Sequence, residues 1–165
     1  MKYELINEHA NINFHDAYVK KVYLNGSDMV WELIALQTTG IDFTDKREDD
    51  YYIKNAVMVL ENAVIEKIFI GGCCHYENGV QIIDVENKTV PPDEYGVALE
   101  TVSYKHGSYI YGIKSLSPSV GGHYRINVMA GPEIMISFEK SVISWDEFAG
   151  TEWCENKWQD IINDN

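Results

Sequence analysis

The chain has 165 residues, 45% hydrophobic and 12% aromatic, which suits one folded domain that needs neither metal nor disulfides for stability. Thirteen basic against 26 acidic residues give a formal charge of -13, which argues against direct binding to nucleic-acid phosphates or an anionic membrane. The same charge favours a basic protein partner, besides serving solubility. Three cysteines, adjacent at Cys73 and Cys74 and distant at Cys154, are an odd set for a secreted disulfide scaffold, so a reducing cytoplasm is expected.

The opening "MKYELINEHANINF" has no apolar core of signal-peptide length, and no apolar run approaches the roughly 18 residues of a membrane helix. From Ala17 to Leu24 the chain alternates as a strand, with Val19 and Val22 inward and the lysines outward. Asn25-Gly26 then signals a type I′ hairpin turn into "DMVWELIAL", whose second half is apolar on both faces and so predicts a central strand. A polar loop follows from Thr38 to Asp50. "YYIKNAVMVLENAVIEKIFIGG" reads as strand, turn and strand. Val57, Leu60, Val64 and Ile68 also have near-helical spacing over Asn55 to Lys67, but the β-branched content favours strands.

"CCHYENG" is expected as a turn, "VQIIDVE" as a strand, and "NKTVPPDEYG" as a loop stiffened by Pro91 and Pro92. "VALETVSY" and "SYIYGIKSL" predict a second hairpin, "HYRINVMA" and "IMISFEKSVI" a third. Near the end, Ser144 and Glu147 are spaced as a capping box, which predicts a helical tail carrying Trp145, Trp153 and Trp158. Six to ten strands with short turns describe a mainly β fold, α+β at most: one antiparallel β-sandwich or partly open barrel with a short C-terminal helical segment, spanning 1–165.

No motif with a known catalytic mechanism occurs, and no cofactor is expected. His15 beside Asp16 could orient as a metal ligand or general base. At a strand's start, however, such a pair more often fastens backbone groups, with Phe14 anchoring the segment in the core. Cys73, Cys74 and His75 lack the Cys-x-x-Cys spacing of zinc sites, and adjacent strand residues face opposite ways. His75, Cys154 and His123 could complete a metal set only through long-range folding, and His15 is the other histidine candidate. "SVGGHYR" lacks the lysine and helix start of a phosphate loop. A partner surface is better sought among clustered acids: Asp42, Asp45, Glu48, Asp49 and Asp50, then Asp93 and Glu94.

"FHDAYV" (residues 14–19), running into an alternating strand, an Asn-Gly turn and a second strand, resembles the opening of small bacterial all-β families. These include immunity proteins of polymorphic toxin systems. The resemblance covers about the first 25 residues. It implies a cytosolic single-domain protein that binds and neutralises a toxin domain, with Phe14, His15 and Asp16 as a structural family mark. Two readings therefore stand: a non-catalytic acidic binding protein, and a small enzyme or ligand-binding β-barrel with a histidine/carboxylate pocket. The second requires at least two histidines and a carboxylate in one cleft.

Overall fold

The computed structural model describes residues 1–7, 9, 12–15, 17–38, 51–71, 73–77, 80–103, 108–116, 123–129 and 131–150, with backbone alone at 51, 73–77, 80–85, 111, 129 and 149–150. The chain is mainly antiparallel β. In order, the strands are β1 (Tyr3–Ile6), β2 (Ile12–Asn13), β3 (Ala17–Asn25), β4 (Asp28–Thr38), β5 (Tyr51–Glu61), β6 (Val64–Ile70), β7 (Cys73–Glu77), β8 (Val80–Val85) and β9 (Lys88–Thr89). After the helix α1 (Tyr95–Glu100) come β10 (Tyr109–Ser115), β11 (His123–Met129), β12 (Glu133–Ser137), β13 (Lys140–Trp145) and β14 (Phe148–Gly150).

Twelve strands form one sheet with the path β1-β13-β5-β4-β3-β10-β11-β12-β6-β9, to which β14 and β2 attach at β5 and β4; β7 and β8 pair separately. The β5–β6 run pairs with the β12–β13 run on both sides of a corner, Lys140 opposite Glu61 and Ser137 opposite Val64. This ribbon belongs to both ends of the path, so the sheet curls round on itself without closing into a barrel. The curled inner face holds one core built from both limbs, including Trp31, Met58, Ile68, Ile126, Ile136 and Trp145.

Local chemistry explains the strands. In β3 the inward set Ala17, Val19 and Val22 breaks strict alternation, because a bulge between Val19 and Lys21 shifts the register by one residue. The central place of β4, between β3 and β5, matches its two-faced burial. The β3–β4 hairpin forms at the expected place, but its two-residue loop is Gly26-Ser27 and only Gly26 (φ +64°) has positive φ. That is the pattern of a type II′ turn, with glycine first, rather than type I′. The run is strand, turn and strand, as expected: β5 ends at Glu61, the chain turns at Asn62–Ala63, and β6 begins at Val64; the two strands do not pair with each other but with β13 and β12.

The corner explains why the two strands part. Asn62 takes φ 51°, a left-handed conformation that asparagine tolerates better than other non-glycine residues. Its N–H donates to Asp28 Oδ1 at 3.0 Å, its Nδ2 to Glu139 Oε2 at 2.7 Å, and its Oδ1 accepts from Ser27 Oγ at 3.2 Å. The chain is thereby steered away from a return turn. Asn62→Ala is expected to cost about 1–2 kcal/mol and Asn62→Gly less than half as much, read from urea unfolding. Equal losses would mean that the side-chain bonds, not the backbone angle, matter most.

Three expectations are overturned. "VALETVSY" begins as helix α1, not strand: Tyr95, Ala98, Leu99 and Val102 recur at helical spacing and turn inward. "CCHYE" is strand β7, paired antiparallel with β8, not a turn. Ser144 and Glu147 cap no helix, because Ser144 lies inside β13, where Ser141, Ile143 and Trp145 alternate inward and the backbone pairs with β5. Trp145 is a core residue stacked on Tyr3 at 5.5 Å. Trp153, Trp158 and the expected helical tail lie outside the described residues. Among those described, no helix is long and apolar enough to cross a membrane.

Candidate functional site

The segment 86–100 carries the one expected acidic pair that falls on described residues. Pro91 and Pro92 stiffen its approach. Pro92 opens a 3-10 turn, Pro92–Glu94, where its missing N–H costs nothing, and Glu94 N–H donates to the Pro91 carbonyl at 2.9 Å. Asp93 and Glu94 stand in this first turn, where carboxylates complement the positive end of the following helix. Helix α1 ends at Thr101, whose hydroxyl donates to the Ala98 carbonyl at 2.7 Å.

Burial holds the helix in place. Ala98 and Leu99 on α1, and Val102 just beyond it, enter the main core, and α1 packs on β3. The Tyr95 hydroxyl donates to the Glu66 carbonyl of β6 at 3.3 Å, tying the helix to the other limb. The opposite face is open. Val97 and Glu100, at i and i+3 on α1, are exposed, as are Asp93 and Glu94 in the turn that leads into it, and Val97 is 66% exposed. Within 86–100 the exposed charges are Glu86, Asp93, Glu94 and Glu100 against Lys88. An apolar centre ringed by carboxylates, on a backbone fixed from behind, is suited to a partner bearing lysine or arginine around an apolar group.

The other acids first in line, Asp42, Asp45, Glu48, Asp49 and Asp50, lie outside the described residues. So does Asp16. Its neighbours show what fastens the start of β3. Phe14 is 4% exposed within the core, and Asn13 Oδ1 accepts the His15 N–H at 3.0 Å in an Asx-type turn. Asn13 Nδ2 in turn donates to Gln37 Oε1 of β4 at 2.7 Å. The His15 ring is exposed.

The three histidines considered for metal stand on separate elements. His15 precedes β3, His75 lies in β7 opposite Ile83, and His123 opens β11. His123 Nδ1–H donates to Glu66 Oε1, which reaches over β12 because Glu66 is the extra residue of a bulge opposite Met135 and Ile136. This pair is an oriented histidine, yet it sits on the outer sheet face with the imidazole 54% exposed. Among the described residues no three His, Cys, Asp or Glu side chains cluster closely enough to hold a metal. A groove of about 270 Å³ beside Trp145, lined by Lys54, Asn55, Val57, Asp146 and Glu147, contains none of these histidines.

Sequence reasoning passed over His9, whose ring packs edge-on to Tyr124 and Phe138 and shares a 3.0 Å hydrogen bond with buried Ser141. It also missed Val97 and Glu100. The signal was present in the inward spacing of residues 95, 98, 99 and 102 after a Pro-Pro-Asp-Glu start. Comparison with protein-family models, with curated proteins and with solved structures finds no match to this chain.

Proposed function

We propose that this chain is a non-catalytic acidic binding protein of the cytoplasm that neutralises a basic protein partner, in the manner of toxin-immunity proteins. The observation that carries the reading is the exposed set Asp93 and Glu94, in the 3-10 turn, with Val97 and Glu100 on the following helix, whose other face is locked into the core. The chain's charge of -13 extends the attraction beyond the contact itself. The FHDA opening supports an immunity-type role. Nucleic acid and membrane are disfavoured as partners by the same charge.

Co-expression with basic toxin domains tests the reading, with colony formation as the readout. The wild-type chain is expected to restore growth, and Asp93→Lys/Glu94→Lys to lose that protection while staying folded. Protection that survives the charge reversal contradicts the surface assigned.

A second reading, a small enzyme with a histidine and carboxylate, draws on the oriented His123–Glu66 pair. It predicts that His123→Ala abolishes function. The binding reading predicts that His123→Ala protects as well as wild type.

A further inference from the structure

The outer face of β10, β11, β12 and β6 carries an arrangement that folding alone does not explain. Lys114, Arg125, Met135 and Lys67 stand in one register row across these four strands. Their neighbours along each strand, Ile113, Ile126, Ile134, Ile136 and Ile68, turn into the core, so the row faces outward. Lys114 and Lys67 are exposed. Three cations thus share one row of a chain with twice as many acidic as basic residues.

Lys114 lies directly opposite Arg125, and like charges facing across strands destabilise a sheet. The nearby acids offset only part of this. Glu66 is engaged by His123, and Glu133 forms an ion pair with Arg125 at 3.5 Å, in which the buried Arg125 Nε makes no hydrogen bond. Lys114 and Lys67 have no ion pair among the described residues. Apolar surface borders the row: Val64 and Leu116 are exposed, and Met135 and Phe69 are half-buried.

We propose that this sheet face is a second docking surface, which takes an extended acidic segment of another protein laid across the strands. The spacing specifies the segment. Neighbouring strands lie about 4.8 Å apart, which puts the Lys114 and Lys67 backbones about 14 Å apart. In an extended chain, residues i and i+4 on one face are separated by about 13 Å. A carboxylate at i meets Lys114 and Arg125, an apolar side chain at i+2 lies on Met135, and a carboxylate at i+4 meets Lys67. The surface is independent of the acidic set around α1, which has the opposite charge.

The probe is a fluorescein-labelled peptide, Ser-Glu-Thr-Leu-Thr-Glu-Ser, with a control bearing glutamine at both glutamate positions, each titrated by fluorescence anisotropy at low salt. The acidic peptide is expected to bind and the glutamine peptide not to bind. Lys67→Glu/Lys114→Glu should weaken the acidic peptide at least tenfold, while Asp93→Lys/Glu94→Lys leaves it unchanged. Folding is checked independently, because Lys114→Glu places opposite charges across the strands and should raise Tm by about 1–4 °C. Equal binding of the two peptides, undiminished binding to the double variant, or no binding of the acidic peptide at millimolar concentration overturns the proposal.

Discussion

Phe14→Ala is expected to lower the unfolding free energy by about 3–5 kcal/mol, the range for deleting a buried aromatic ring whose cavity cannot fully collapse. The position makes the loss large. Phe14 enters the core between the two short β2 residues and the start of β3, and the Ala17 N–H returns to its carbonyl at 3.0 Å. Without the ring, this turn keeps its hydrogen bonds, among them those of Asn13, but loses its anchor in the core. Removing those of Asn13, in Asn13→Ala, should cost about 0.5–1.5 kcal/mol. His15→Ala, at an exposed ring, should fall within about 0.5 kcal/mol of wild type. Chemical unfolding of the three variants ranks them. A His15 effect as large as that of Phe14 would mean that the imidazole fastens the turn.

The largest functional effect is expected from reversing the acidic set around α1. Asp93→Lys, Glu94→Lys and Glu100→Lys together change the local charge by six units. They should slow association with a basic partner by about 10- to 1000-fold at low salt, since steering is the component that surface charge controls. All three side chains are exposed and their backbone is held from the far side by Ala98 and Leu99, so the chain should stay folded, with a loss of about 1–2 kcal/mol where Asp93 and Glu94 complement the positive end of the helix. Val97→Asp separates contact from steering. It adds charge of the attractive sign but removes the apolar centre, so dissociation should quicken while association is kept. Stopped-flow association and dissociation rates for the two variants distinguish these roles.

Much of the fold was legible because strand period and turn chemistry act locally. Val19 and Val22, the Asn-Gly region, and the two-faced apolar run of β4 each carried their own signal. What was not legible depended on partners distant in sequence. The turn between β5 and β6 was expected, but the pairing of its strands with other limbs was not to be read there, because Asn62 is held by Ser27, Asp28 and Glu139, from two other parts of the chain. Ser144 and Glu147 match a capping box, yet six register pairs with β5 satisfy that backbone as strand. A local capping preference cannot compete with such a ladder and the burial of Trp145.

The candidate site was half legible for the same reason. Asp93 and Glu94 stood out as acids beside two prolines. Reading "VALETVSY" as a strand, however, hid the exposed set that joins Asp93 and Glu94 to Val97 and Glu100. Valine and threonine suggested β structure, while the inward spacing from Tyr95 to Val102 was helical and short. Tertiary burial of Leu99 decided the outcome.

The measurement that bears most directly on the binding account is the association rate constant with a basic toxin domain as a function of ionic strength. The account predicts a fall of at least about tenfold between roughly 0.01 and 0.3 M salt, as the Debye length shrinks from about 30 Å to below 10 Å. The Asp93→Lys/Glu94→Lys/Glu100→Lys variant should show a flattened dependence. A wild-type rate that ignores salt, or a variant with the same slope as wild type, would contradict the claim that this acidic surface recruits the partner.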